Sequence, residues 1–157
     1  CYGVPIVPAI AIGPQYKNSN NDAVVRALGA KDDKGVDYYV SASKLILSRS
    51  ILASATLRAT KSNQLGLLGF GGDENTSYSL QVEGSLAWQI SRHFAIGGEY
   101  RAKPDNLGIA REDDWFDVFG AYAINKHLTV AVAYTDLGSI ATADKQRGAL
   151  LSLQAAF

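Results

Sequence analysis

Five charged residues recur at a spacing that gathers them on one face of an extended chain. Arg58, Glu83, Glu99, Arg101 and Asp117 each lie in a stretch where apolar and polar residues alternate, and each falls on the polar parity. Successive side chains of a strand point to opposite faces, so these five share a face wherever the stretches are strands of one sheet. Opposite charges gathered in this way can pair or hold a polar solute. Two carboxylates, Glu83 and Glu99, could also act as general acid and base. Ion pairing is the reading the spacing favours. If the turn at Ser91-Arg92-His93 has three residues, Ile90 pairs with Phe94 and Glu83 then lies opposite Arg101. Charges inside a narrow barrel must be paired, so a lumen charge network of Arg58, Glu83, Glu99, Arg101 and Asp117 is expected there.

The other chemistry-bearing residues point away from catalysis. The two histidines, His93 and His127, fall in short turns, out of reach of a nucleophile at the rim or in the wall. No catalytic residues and no enzymatic activity are expected. Carboxylates cluster at Asp32-Asp33, Asp73-Glu74 and Glu112-Asp113-Asp114, but none has the spacing of a calcium loop, and a solvated loop surface is the expectation, with no metal. Nearby Lys31, Lys34, Arg111, Lys145 and Arg147 can meet lipid phosphates. The run Leu65-Gly66-Leu67-Leu68-Gly69-Phe70-Gly71-Gly72 lacks the Lys-Ser/Thr of a phosphate loop, and no cofactor is expected. That run is unusually apolar for an exposed loop; folding into a barrel mouth, extending the flanking strands and meeting a partner are the three readings open to it.

The elements that must position these residues are strands. Alternation is clearest from Tyr78 to Ile90 and continues through Phe94 to Lys103, Phe116 to Ile124, Leu128 to Thr135 and Ala149 to Phe157. Upstream, Ile51 to Thr60 alternates, Val36 to Leu47 less cleanly with Lys44 on its apolar side, and a first strand runs from about Ala9 to Lys17. The connections alternate as well. Short links fall near Ser48-Arg49, at Ser91 to His93 and at Asn125 to His127; long polar links fall at Asn18 to Gly35, Ser62 to Ser77, Pro104 to Asp114 and Asp136 to Gly148. A short helix is expected within Asp22 to Gly29. Short turns on one side and long loops on the other are the pattern of periplasmic turns and extracellular loops.

The apolar parity carries its rings at the strand ends. Tyr16, Tyr38, Tyr78, Tyr100, Phe116 and Tyr134 lie toward the long loops, and Trp88, Phe94, Tyr122 and Phe157 toward the short turns, with aliphatic residues, Ala or Gly between. Two aromatic belts around an apolar band fit the two membrane interfaces. A soluble sandwich would concentrate large rings at mid-strand instead. The expected fold is therefore all-β: an antiparallel up-and-down transmembrane β-barrel with eight strands in this chain, a single domain over 1–157, in a bacterial outer membrane.

Composition agrees. The chain has 157 residues with fifteen basic and fifteen acidic side chains, so no net charge draws it to nucleic acid. No run reaches the roughly 18 apolar residues of a membrane-spanning helix, which leaves a barrel open. Cys1 is the only cysteine, so no internal disulfide forms. It also stands where a lipoprotein carries its lipid, though no signal sequence precedes it. Without a leader or a starting Met, the chain is expected to be a mature protein or a piece of a longer precursor. Pro5 and Pro8 imply that the first strand starts after Pro8 or that the seam is imperfect.

Two resemblances follow. The terminal Phe157 behind alternating apolar residues resembles the C-terminal strand that the barrel assembly machinery recognises. The stretches LRATKSNQLGLLGFGGDEN (Leu57 to Asn75), GGEYRAKPDNLGIAREDDWFDVF (Gly97 to Phe119) and AYTDLGSIATADKQRGALLSLQAAF (Ala133 to Phe157) resemble an uncharacterised family of proteobacterial outer-membrane proteins, from about Pro8 onward. That resemblance implies location and fold, with further strands upstream in longer members, and no known activity. The expected function is a non-enzymatic outer-membrane barrel, structural or binding through its extracellular loops. The expected partners are outer-membrane lipid and lipopolysaccharide and the assembly machinery through the last strand, with an oligomer left open. The alternative is a porin-like channel subunit, if upstream strands or neighbouring subunits enlarge the barrel.

Overall fold

A computed structural model describes residues 7–109, 111–140 and 143–156. Cys1, Pro5 and Phe157 lie outside them. Eight strands follow one another: β1 (Ala9–Asn18), β2 (Lys34–Ile46), β3 (Ile51–Thr60), β4 (Ser79–Gln89), β5 (Phe94–Arg101), β6 (Trp115–Asn125), β7 (Leu128–Ile140) and β8 (Ala143–Ala155). Each pairs antiparallel with its neighbour in sequence, in the sheet order β1 to β8. This is the all-β, up-and-down arrangement that the alternation predicts. The sheet is not closed: β1 pairs with β2 and β8 with β7, and β1 and β8 do not pair with each other. Pro14 lies within β1. A proline has no N–H to donate, so its place in a sheet is an edge strand.

Away from the bulges in β6 and β7, the register keeps the two parities apart. Thr56, Glu83, Arg101 and Trp115 follow one another across β3 to β6 on the polar face. Leu57 and Val82 face each other on the other side. The three-residue turn at Ser91 to His93 sets Glu83 opposite Arg101 as expected. A 3-10 turn at Leu47–Arg49, closed by Ser50 at φ 53°, makes the first short link.

The loop side departs from the expectation in two ways. The segment read as a long polar link, Asp136 to Gly148, is mostly strand: β7 runs on to Ile140 and β8 begins at Ala143, through register shifts at Gly138. Its turn-like residues, Asp136, Gly138 and Ser139, serve a bulged ladder rather than a coil. The other long loops do not splay into solvent. They pack into a cap holding the fully buried apolar residues among those described: Val25, Ala30, Phe70 and Leu107, with Leu68 against them. Val25 comes from α1 (Asp22–Ala27), the short helix expected in the first long loop. Phe70 is 0 % exposed, and its backbone bridges to Asp32 and Ser62. Its ring packs against Gly35, where any Cβ would overlap it. The Leu65–Gly72 run, left open between a barrel mouth, extended strands and a partner, folds over the loop end of the sheet.

Candidate functional site

Charges on the polar face form a chain of contacts near the loop ends of the strands. Arg58 of β3 grips Glu83 of β4 with both sides of its guanidinium: Nε donates to Oε1 at 2.7 Å and Nη2 to Oε2 at 3.3 Å. Its third nitrogen, Nη1, donates to Gln15 Oε1 at 2.8 Å and lies 3.7 Å from Asp37 Oδ2. The guanidinium also sits 5.7 Å from the ring centroid of Tyr39. Asp37 is 0 % exposed. It receives Lys17 Nζ at 2.6 Å and the Thr60 hydroxyl at 2.5 Å. On the other side, Arg101 Nη2 reaches Glu83 Oε2 at 3.5 Å. A fork that meets a carboxylate edge-on is the strong form of this contact. Lys17, Asp37, Gln15 and Tyr39 were not among the expected network. Their parity matches it, but the weak alternation of the second strand hid that match.

The expected network thus divides. Arg58, Glu83 and Arg101 are joined, whereas Glu99 and Asp117 face each other across β5 and β6. Neither makes an ion pair within 4 Å among the described residues. Like charges set directly opposite repel. Glu83, Glu99, Arg101 and Asp117, with Ser54 and Thr56, line a cavity of about 380 Å³. Glu83 and Glu99 are diagonal neighbours, since Glu83 faces Arg101 and Glu99 faces Ser85. They are not a facing dyad. Nearer the short turns the same face becomes apolar: Leu45, Leu52, Ala87, Gly97, Phe119, Ala133 and Leu150 follow one another across seven strands. Gly97 leaves room for the Phe119 ring, which any Cβ there would overlap. This arrangement can hold a small polar or cationic solute above an apolar floor.

The opposite face is apolar and uncovered. Leu80 is 74 % exposed, and Ile12, Val82, Leu86, Val118, Val132, Leu151 and Leu153 are likewise exposed. Tyr16, Tyr38, Tyr78, Tyr100, Phe116 and Tyr134 lie exposed toward the loop ends, and Trp88, Phe94 and Tyr122 toward the turns. The Tyr78 hydroxyl donates to the Val36 carbonyl at 2.7 Å, and Tyr100 bonds Asp114.

In the loops, carboxylates tie backbones together. Asp73 Oδ1 accepts the Gly108 N–H at 2.9 Å, which holds its carboxyl below the usual range. Asp113 is lowered in the same way by the Ser139 hydroxyl and N–H. Both oxygens of Glu112 accept the Gln64 N–H. These acidic clusters were expected as a solvated surface; Glu112 is instead buried. No group of three or more His, Cys, Asp or Glu suited to a metal occurs among the described residues. His93 and His127 brace the turns, their Nδ1 atoms 2.9 and 2.8 Å from the carbonyls of Ala123 and Ala156.

The comparisons with known proteins add a family. Residues 2–154 match the family described as "Protein of unknown function (DUF3034)", and the chain belongs to it. No curated protein and no solved structure matches.

Proposed function

We propose that this member of the DUF3034 family is a non-enzymatic β-barrel protein of a Gram-negative outer membrane, structural or binding through its capped loops. The observation that carries the reading is the uncovered apolar face. Its aliphatic band runs across all eight strands, with rings at both margins. Soluble monomers rarely leave an apolar surface of that extent in water, whereas a bilayer covers it and places rings at its interfaces. Within hydrocarbon a strand edge must be paired. The edges of β1 and β8 then meet each other, further strands or a neighbouring subunit. Outer-membrane lipid and lipopolysaccharide would surround the wall, and the assembly machinery would engage the last strand.

The test is solubility. The protein should require detergent and give a β-type circular dichroism spectrum in micelles. A folded, stable monomer in plain buffer would overturn the reading.

One observation favours a second reading, a porin-like channel subunit. The cavity holds more carboxylate than guanidinium, and the open sheet leaves room for a wider barrel. Steady conductance in planar bilayers, with cations preferred over anions, would select it over the first.

A further inference from the structure

The second and third long loops meet beyond the loop ends of the strands. From one side, Gly66 packs on the Lys17 side chain and Phe70 on Gly35, and both of those residues belong to the polar parity of β1 and β2. From the other, Lys103 Nζ lies 4.9 Å from the ring centroid of Trp115, which lines the cavity. Gln64 and Leu65 turn between them at φ 44° and 58°. That left-handed region is unfavourable for residues other than glycine, so the turn needs a hold from outside itself. Two holds are present, both from the third loop. Asn106 Nδ2 donates to Asn63 Oδ1 at 2.9 Å, and the Gln64 N–H lies 3.0 and 2.9 Å from the two oxygens of Glu112.

We propose that the turn Asn63–Gly66 is a plug latched over the loop ends of β1 and β2 by Glu112, and that charging Glu112 loosens the latch. Glu112 is 5 % and Lys103 6 % exposed, yet the Lys103 ammonium has no hydrogen bond and lies more than 4 Å from the carboxylate. Burial pushes Glu112 up to about 7 from its ordinary 4.5; the Gln64 N–H and Lys103 pull it down, and Asp105 pushes it up. The closed plug therefore holds the Glu112 proton more tightly than an open one. Linkage fixes the sign: closure is strongest below about pH 4.5 and weakens as pH rises toward 7. Burial draws Lys103 below 10.5, so loss of its proton favours closure again at higher pH. This inference goes beyond the membrane reading and does not depend on it.

Ser62, 2 % exposed at the residue that leads into the plug, serves as the reporter. In a Cys1→Ser background, Ser62→Cys should react with a water-soluble maleimide only when the plug lifts. Its rate is divided by that of Lys126→Cys, an open turn thiol, which removes the thiol's own pH dependence. The ratio should be about tenfold higher at pH 7.5 than at pH 5.5. Glu112→Gln, uncharged and of the same shape, should flatten the profile at its low value. A flat profile in the parent, or an equal rise in Glu112→Gln, overturns the proposal. Should Glu112→Gln fail to fold, Gln64→Gly decides: by easing the left-handed turn it should lower the ratio at pH 7.5, and an unchanged ratio overturns the latch.

Discussion

Two guanidinium groups claim Glu83, and they are not equivalent. Arg58 forks onto it and also faces Asp37, with 14 % of its side chain exposed; Arg101 touches one oxygen at 3.5 Å and is 36 % exposed. Removing Arg58 takes from Glu83 its main partner and from Asp37 its second cation. Arg58→Ala should destabilise the protein by about 3 kcal/mol, the scale of a broken buried pair. Arg101→Ala should cost about 1 kcal/mol or less, as for a partly exposed pair. Urea unfolding in micelles compares the two, and equal losses would mean that Glu83 is held mainly by water. The Glu83–Arg101 pairing was legible because turn length fixes register. The dominance of Arg58 was not, because it depends on rotamers that reach along and across strands, as the contact to Gln15 two strands away shows.

Among the elements, the strands were legible and the cap was not. Alternation with period two is a local property, so β3 to β6 could be placed within a residue or two. The cap is assembled from segments far apart in sequence: Val25, Ala30, Phe70 and Leu107 meet only in space. The glycines of Leu65–Gly72 were visible as an oddity. Their reason is close approach: Gly69, at φ 78°, packs against Val25, Ala30 and the Asp32 carbonyl, and Gly72 against the Asn106 backbone. Phe70→Ala should open the cap, with a loss of about 3 kcal/mol for a buried ring. Limited proteolysis should then cut the second loop many times faster than in the parent. Gly35→Val should do the same by displacing the ring. Unchanged proteolysis in both would show that the cap does not rest on this packing. The β7–β8 hairpin was misread for a related reason. Asp136 and Arg147, read as loop residues, pair across the ladder at 2.7 Å, and that contact is set by the bulge rather than by composition.

At the scale of the whole molecule, the topology assigns every long loop to one end and every short turn to the other. If the strands span the outer membrane, Asp73 lies outside and Lys126 in the periplasm. In a Cys1→Ser background, Asp73→Cys should react with an impermeant thiol reagent on intact cells, and Lys126→Cys only after the outer membrane is opened. Labelling of Lys126→Cys alone on intact cells would invert the topology and defeat the belt argument. The expected sidedness rests on the agreement of loop lengths and ring positions. Closure was not, since pairing between the first and last strands depends on the accumulated curvature of all eight, to which no single residue testifies.

The placement of the buried residues has a consequence for how the molecule comes apart. Its only enclosed oil lies in the cap, among the described residues, while the aliphatic side chains of the strands lie exposed. If the strands span a membrane, as proposed, the cap and the strands answer to different solvents. Water drives the cap together through the hydrophobic effect, and it would do nothing of the kind for strands surrounded by lipid. Shortening the alkyl chain of the detergent should lower the melting temperature of the strands, read in the far ultraviolet, and leave that of the cap, read by exchange of the Phe70 amide, nearly where it was. One polypeptide would then show two thermal transitions, and the choice of surfactant would decide which comes first.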